Sequence, residues 1–341
     1  MERIKQKVAW IYFIIHLLVE LVCFALIYDK FGLGVTLLVA VVFDFFAFVP
    51  QAIIGQLNDW FHKLDIGTIG VLLMAISVFL LDVDKPGIYL TGIIALGLGN
   101  AFLHEAGAVA TVVVSGGTLF PSALFVSGGS FGLIIGQLLG KYGINKYYLL
   151  IVLVVIEILV LYSNPIWLKK ERKIPEFHLV NELRSEWVIV LVAFGVTTAR
   201  SYVGYAIPIS WNKTVWQSVL LFFIMGAGKA VGGYLSDKIG AKKTGVLSTI
   251  ICIPFLLIGK DIMTISVIGV FLFSMTMSIT FGMLLSVIKE NPGLAFGVTT
   301  LGLFLGICPV LFFGKFGYLI DSILVVIMSL ASAYGLYKTL R

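Results

Sequence analysis

Two histidines and two glutamates lie in long apolar stretches of this sequence, where such side chains could carry protons. His16 and Glu20 are four residues apart, so a helix places them on one face. Asn100 and His104 have the same spacing, and Glu105 follows about 100° further round the helix. A carboxyl group in apolar surroundings binds a proton readily and releases it on exposure to water. We therefore predict Glu20 and Glu105 as proton-coupling residues, with His104 modulating them.

The elements that must position these residues are membrane-spanning helices. The 341-residue chain is 60% hydrophobic and 12% charged, with a mean hydropathy of +1.06, whereas soluble domains are about 25% charged. A spanning helix needs about 20 apolar residues. Twelve stretches meet this requirement, near 8–28, 34–57, 66–83, 87–112, 119–140, 147–168, 187–208, 213–236, 243–259, 262–288, 292–314 and 317–338. The sequence therefore predicts an all-α membrane protein with twelve transmembrane helices.

One long polar segment, residues 169–186, interrupts the apolar stretches near the middle of the chain. It predicts a six-helix bundle over 1–168, a linker over 169–186 and a second six-helix bundle over 187–341. The linker is either a solvated connection or, in its second part, a short interfacial helix. Most Lys and Arg residues fall on the face with the linker and both termini, which predicts a cytoplasmic location for that face in a cell membrane. This asymmetry explains the net charge of +6, and no basic-aromatic patch predicts nucleic-acid binding.

Four further charged residues lie inside apolar stretches. A charge at the bilayer centre costs roughly 2.5–3.5 kcal/mol, so each needs a function or a partner. Arg200 is predicted to contact the charge of an anionic or zwitterionic substrate. Asp44, Glu157 and Lys229 are predicted to form a charge network by structural pairing. Three alternatives stay open: Lys229 contacts an anion, Arg200 and the acids form one satisfied structural network, or His16 is a core histidine bonded to a backbone carbonyl.

A short pattern, Gly-x-Leu-x-Asp, occurs twice, from Gly55 to Asp59 and from Gly233 to Asp237. Each copy ends an apolar stretch, and the copies are about half the chain apart. Such repetition indicates an internally duplicated protein. The glycine lets a neighbouring helix approach closely, and the aspartate lies where the helix leaves the bilayer. Basic residues follow the second copy: Lys238, Lys242 and Lys243.

This pattern resembles the loop motif of the major facilitator superfamily, Gly-x-Leu-x-Asp-Arg/Lys-x-Gly-x-Arg/Lys-Arg/Lys. The second copy matches throughout, whereas the first departs after Asp59, with Trp60, Phe61 and His62 before Lys63. The resemblance implies two pseudo-symmetric six-helix bundles and a secondary transporter that works by alternating access. It also implies that helices 1, 4, 7 and 10 line a central cavity. The substrate-binding residues would then be Arg200, Asn100, His16, Tyr205, Ser274 and Ser278.

The same resemblance implies roles for helix starts and glycine stripes. It places the second helix beside the eleventh, and N–H groups at a helix start attract a carboxylate. Asp59 should therefore lie close to the amides of 293–295, and Asp237 close to those of 122–124. The glycine stripe Gly128, Gly132, Gly136 and Gly140 should meet the eighth helix, or alternatively a helix of its own half. Conformational gating is expected to involve Gly55, Asp59, Gly233, Asp237, Lys238, Lys242 and Lys243.

Taken together, these features predict a proton-coupled transporter of a small organic solute, and not an enzyme. We expect a monomer without a cofactor or a resident metal. A drug/proton antiporter exporting cationic or amphipathic compounds is one alternative. A metal-ion transporter is another, if His16, Glu20, His104 and Glu105 meet in space. An intramembrane enzyme is least favoured, because the His-Glu-x-x-His zinc pattern fails at Ala108.

Overall fold

The computed structural model describes residues 2–32, 36–169 and 172–341. The residues outside the described ranges are Met1, 33–35 and 170–171. They include the start of the predicted second span at 34–35 and two residues of the predicted linker. Fourteen helices form in the described part of the chain. They are α1 Glu2–Phe31, α2 Leu37–Phe48, α3 Gln51–Trp60, α4 Ile66–Leu80, α5 Pro86–Ser115, α6 Phe120–Lys141, α7 Tyr147–Trp167, α8 Glu186–Ala206, α9 Val215–Ile239, α10 Ala241–Ile258, α11 Met263–Ser274, α12 Met277–Val287, α13 Pro292–Phe313 and α14 Tyr318–Thr339.

These helices make twelve spans, which confirms the predicted fold class. Helices α2 and α3 form one continuous apolar span, and α11 and α12 form another. Eleven spans are long enough to cross a membrane, and the shorter Ile66–Leu80 is the twelfth apolar helix of the described residues. The break between α2 and α3 falls at Pro50, which has no N–H to donate. The Gln51 side chain compensates in part by donating to the Ala47 carbonyl at 2.6 Å.

The chain forms two compact units. The first comprises Met1–Val114, Gly128–Ile174 and Glu290–Gly297, and the second comprises Ser115–Ser127, Pro175–Lys289 and Val298–Arg341. The start of α13 therefore belongs to the first unit, and the start of α6 belongs to the second. The division of the chain at 169–186 into two bundles stays a prediction.

In the first unit, the glycine stripe of α6 packs against α1. A Cβ atom added to any of the four glycines would overlap an α1 backbone carbonyl. In order along the stripe, these carbonyls belong to Phe13, Leu17, Leu21 and Ala25. The expected contact with the eighth helix is therefore wrong, and the alternative of a partner within the same half is correct. Close backbone packing between α1 and α6 sets the position of the α1 side chains that face α5.

In the second unit, residues 175–185 pack against the end of the chain. The Asn181 N–H donates to the Thr339 carbonyl at 2.8 Å, and the Arg341 N–H donates to the Leu179 carbonyl at 3.0 Å. Phe177 is buried. None of the described residues 172–185 is helical, so the alternative of an interfacial helix is wrong. Backbone pairing with the C-terminus has replaced helical hydrogen bonds in this segment.

Candidate functional site

The first aspartate of the repeated motif binds a helix start. Asp59 lies at the end of α3, and its carboxylate accepts hydrogen bonds from the N–H groups of Gly293 at 3.1 Å and Leu294 at 2.9 Å. Both amides are in the first turn of α13, which begins at Pro292, and so have no partner within the helix. Asp59 is buried. The predicted contact is confirmed, and its role in gating stays a prediction.

Glycines on both helices make this contact possible. A Cβ atom on Gly55 would overlap the carbonyl of Gly293, and a Cβ atom on Gly297 would overlap the backbone of Ala52. The backbones of α3 and α13 therefore touch. Gly293 was predicted only as an amide donor to Asp59, and Gly297 was not predicted, although their four-residue spacing is the small-xxx-small pattern of close helix contacts.

The second aspartate also binds a helix start, but at residues that precede the predicted ones. Asp237 accepts hydrogen bonds from the N–H groups of Leu119 and Phe120, both at 2.8 Å. The prediction of 122–124 is wrong by two or more residues, because α6 begins at Phe120 and not after Pro121. A Cβ atom on Gly233 would overlap the Cβ of Ala123, so the glycine again allows close approach.

Two of the lysines after Asp237 lie over aromatic rings. Lys238 Nζ is 5.8 Å from the centre of the Tyr234 ring, and Lys242 Nζ is 4.5 Å from that of Tyr337. Within the described residues, no ion pair joins Asp237 to Lys238, Lys242 or Lys243. The Asp237 carboxylate is therefore bound by the N–H groups at the start of α6 and not by these lysines.

A linker arginine takes the position next to Asp59. Arg172 donates to the Asn58 carbonyl, the Asn58 side-chain oxygen at 2.9 Å and the His62 carbonyl at 2.7 Å. Burial lowers the pKa of Arg172 to about 10, and the nearby Asp59 carboxylate acts against this shift. Arg172 was not among the predicted site residues, although it belongs to the basic run after the sixth span. Arg172 caps the end of α3, where the first motif copy has no basic residue directly after its aspartate.

Two of the four histidines in the sequence converge on Glu20. Glu20 Oε1 lies 3.3 Å from His104 Nε2 and 3.9 Å from His16 Nε2, and it accepts a hydrogen bond from Asn100 Nδ2 at 2.9 Å. The two imidazole rings are nearly perpendicular, with centres 4.3 Å apart. Gly129 of α6 leaves room for the His16 ring, since a Cβ atom there would overlap it. We call His16, Glu20 and His104 the Glu20 cluster.

The hydrogen bond of His104 indicates that the Glu20 cluster binds a proton or another cation. His104 Nδ1 lies 2.9 Å from the Asn100 carbonyl, which can only accept, so Nδ1 carries a hydrogen. In neutral His104 the lone pair is then on Nε2, which faces the Glu20 carboxylate. Two lone pairs at this distance repel unless a proton or another cation lies between them. One ligand atom from each cluster residue lies within 4.8 Å of the others, a separation that also suits a metal ion.

The side chain of Glu105 points away from that of His104 and lies against the contact between α3 and α13. It is fully buried, and neither carboxyl oxygen has a hydrogen-bond partner among the described residues. A Cβ atom on Gly55 would come within 2.8 Å of Glu105 Oε2. Of the four residues of the metal-ion alternative, His16, Glu20 and His104 lie together, whereas Glu105 lies apart from them. A buried carboxyl group without a partner is accommodated as the neutral acid.

Among the remaining predicted site residues of the second unit, Arg200 lies beside Ser274. Arg200 Nη2 lies 3.4 Å from the Ser274 carbonyl, and the guanidinium lies 5.1 Å from the centre of the Phe273 ring. The hydroxyls of Ser274 and Ser278 are buried and make no hydrogen bond to the described residues. The side chain of Tyr205 is largely exposed.

Two residues of the predicted charge network contact uncharged groups. Glu157 accepts a hydrogen bond from the Thr68 hydroxyl at 2.8 Å, and Lys229 Nζ lies 3.5 Å from the Val126 carbonyl. Asp44 is partly exposed in α2. A network among Asp44, Glu157 and Lys229 stays a prediction.

Comparison with solved structures finds transporters. The chain matches FucP, described as a Major Facilitator Superfamily transporter in the outward conformation, at 15% identity over 95% of this chain and 98% of that one, with a TM-score of 0.64. A variant of the E. coli fucose:proton symporter FucP matches at 16% identity over 96% and 98%, with a TM-score of 0.65. The human organic anion transporter MFSD10 (TETRAN) matches at 13% identity over 96% and 99%, with a TM-score of 0.68.

No protein-family model and no curated protein sequence matches the chain. The structural matches nevertheless cover nearly its whole length. They agree with the loop motif at Asp59 and Asp237 and with the twelve spans. This polytopic membrane protein therefore has the fold of the major facilitator superfamily transporters.

Proposed function

We propose that this protein is a secondary active transporter that moves a small organic solute across a cell membrane by alternating access, coupled to protons. The observation that carries the proposal is the Glu20 cluster, a nearly buried carboxylate between two histidines within apolar spans. A charged group at such depth is costly unless it serves binding or coupling. FucP is a fucose:proton symporter by its description, and MFSD10 is an organic anion transporter. We expect an anionic or zwitterionic solute, a monomer and cytoplasmic termini.

The Glu20 cluster supports the coupling step. Glu20 and His104 share one proton in the arrangement described, because both facing atoms are otherwise acceptors. Asn100 holds the Glu20 carboxylate in place. Alternating exposure of this pair to the two sides of the membrane would load and release the proton. His16 would stabilise the charged form of Glu20 after the proton leaves.

Glu105 supports a link between protonation and gating. It lies against Gly55, at the contact that Asp59 makes with the start of α13. Separation of α3 from α13 would bring water to the Glu105 carboxyl group and favour its ionisation. Ionised Glu105 would in turn repel Asp59 and oppose re-formation of the contact. We propose that the contacts of Asp59 and Asp237 break together when the cytoplasmic side opens.

A metal-ion transporter is the second candidate, because α1 and α5 bring His16, Glu20 and His104 together. Two imidazole nitrogens and one carboxylate oxygen are ligands that Zn²⁺ and related ions accept in proteins. In this case the metal ion is the substrate, and it would replace the shared proton. The drug/proton antiporter remains a proposal without a specific structural observation in its favour.

Reconstitution into proteoliposomes tests these functions. A pH-sensitive dye inside the vesicles should report solute-dependent proton movement, and Glu20→Gln should abolish it. His178→Asn is the matched control, because His178 forms an exposed pair with Glu176 at 3.3 Å. Proton movement that persists in Glu20→Gln would contradict coupling at Glu20. Uptake of Zn²⁺ or Mn²⁺, lost in Glu20→Gln, would instead support the metal-ion function.

A further inference from the structure

Arg200 carries a positive charge without an acidic partner, and its side chain is partly buried. It lies on α8, inside the second unit. Nη2 makes one long contact with the Ser274 carbonyl at 3.4 Å, and Nε is buried without a hydrogen bond. Among the residues that the structure describes, no carboxylate forms an ion pair with Arg200. An uncompensated charge of this kind is strongly unfavourable, so an anion would stabilise it.

A small cavity adjoins the Arg200 guanidinium. Its volume is about 20 Å³, and all of its lining residues belong to the second unit. A cavity needs roughly 10–15 Å³ on this measure to hold one water molecule. The space therefore suits one atom-sized or water-sized occupant.

Hydroxyl groups on α14 complete the lining. Ser329 and Ser332 are one turn apart and buried, and neither hydroxyl hydrogen-bonds to another described residue. By contrast, the Thr249 hydroxyl donates to the Gly245 carbonyl at 2.7 Å, and the Thr276 hydroxyl donates to the Phe273 carbonyl at 3.4 Å. The hydrogens available to an occupant are therefore those of the guanidinium and of the two serines.

We propose that Arg200, Ser329 and Ser332 bind a single monatomic anion, for which chloride is the abundant cellular example. The set offers a positive charge and two hydroxyls that can turn their hydrogens towards an occupant, which matches an ion that can only accept. The apolar neighbours Val203 and Phe273 favour a weakly hydrated halide over a strongly hydrated anion. This site is independent of the Glu20 cluster, and it exists whether or not the protein transports an organic solute.

Binding can be measured without transport. The full chain is purified in a gluconate buffer, and its thermal stability is followed while chloride, bromide or acetate is added at constant ionic strength. Chloride and bromide should raise the melting temperature saturably, since a ligand of the folded state stabilises it. Acetate and further gluconate should not. An equal effect of acetate would overturn the claim that the site takes a monatomic ion.

Variants localise the effect. The double variant Ser329→Ala/Ser332→Ala should weaken chloride binding at least about tenfold, because two hydrogen bonds to a charged group are lost. Arg200→Gln should abolish the response. Ser322→Ala is the matched control, because it removes another unpartnered hydroxyl of α14 outside the cavity and should respond like the unaltered protein. An unchanged chloride response in the double variant would mean that chloride binds elsewhere on the protein and would overturn the proposal.

Discussion

The carboxyl group of Glu105 lies against the α-carbon of Gly55, so close that a methyl group there would come within 2.8 Å of Oε2. Its neighbour His104 instead faces Glu20, with 3.3 Å between Nε2 and Oε1. Consecutive residues of a helix point about 100° apart. Helix α5 therefore places two ionisable residues in two different sites, one at the proton cluster and one at the contact between α3 and α13.

Gly55→Ala should disrupt the contact between α3 and α13. The added methyl group would overlap the Gly293 carbonyl and crowd Glu105. Overpacking of this kind costs typically 1–3 kcal/mol. We expect faster modification of a cysteine placed at Gln56 by a water-soluble thiol reagent in the variant. Gly195→Ala is the control, because nothing lies within 4 Å of an added Cβ there. The cysteine at Gln56 is tested alone, with Gly55→Ala and with Gly195→Ala. Equal modification rates in these three proteins would contradict the close contact.

Asp59→Asn should weaken the contact with α13 more than Asp237→Asn weakens the contact with α6. A carboxylate at a helix start contributes about 0.3–1 kcal/mol when exposed and up to ~2 kcal/mol when partly buried. Asp59 is only 6% exposed, whereas Asp237 is exposed. Spin labels at Lys63 and Lys289 would report the change in the distance distribution. No change in either variant would mean that the aspartates shape the loops without gating.

Glu20→Gln should separate proton-driven transport from exchange. Glutamine keeps the size and an acceptor oxygen but cannot carry the proton. Uptake driven by a pH gradient should be lost, and exchange of solute across the membrane should partly remain. Glu105→Gln tests the second carboxyl group in the same assay. If both variants transport like the unaltered protein at every pH, proton coupling lies elsewhere.

Arg172→Gln should destabilise the protein by roughly 1–3 kcal/mol, because it leaves the acceptors at the end of α3 without their charged donor. With a pKa of about 10, Arg172 stays charged at neutral pH. Arg172→Lys should not restore stability, since an ammonium group cannot reach three acceptors in the same planar arrangement. Thermal unfolding measures the loss. The adjacent, exposed Lys173→Gln should unfold like the unaltered protein, and an equal loss there would argue against a specific cap.

Several features of this protein could be predicted from local sequence. The twelve spans follow from the length of the apolar stretches, because the bilayer sets that length. The contact of Asp59 with α13 needed more than local sequence: the family resemblance paired the two helices, and Pro292 marked a helix start with free N–H groups. The pairing of His16 with Glu20 follows from their four-residue spacing, which every α-helix converts into a shared face.

Other features depend on how the helices pack, which spacing along one helix does not specify. The sequence by itself determined that His104 and Glu105 diverge on α5, but only the tertiary structure decided that one faces Glu20 and the other Gly55. Likewise the α6 glycines predicted a close contact, and packing selected α1 as the partner. The physical reason is that the rotation of each helix about its axis is set by the summed contacts of all its neighbours. The cavity beside Arg200 arises in the same way, from residues of four helices that are distant in sequence.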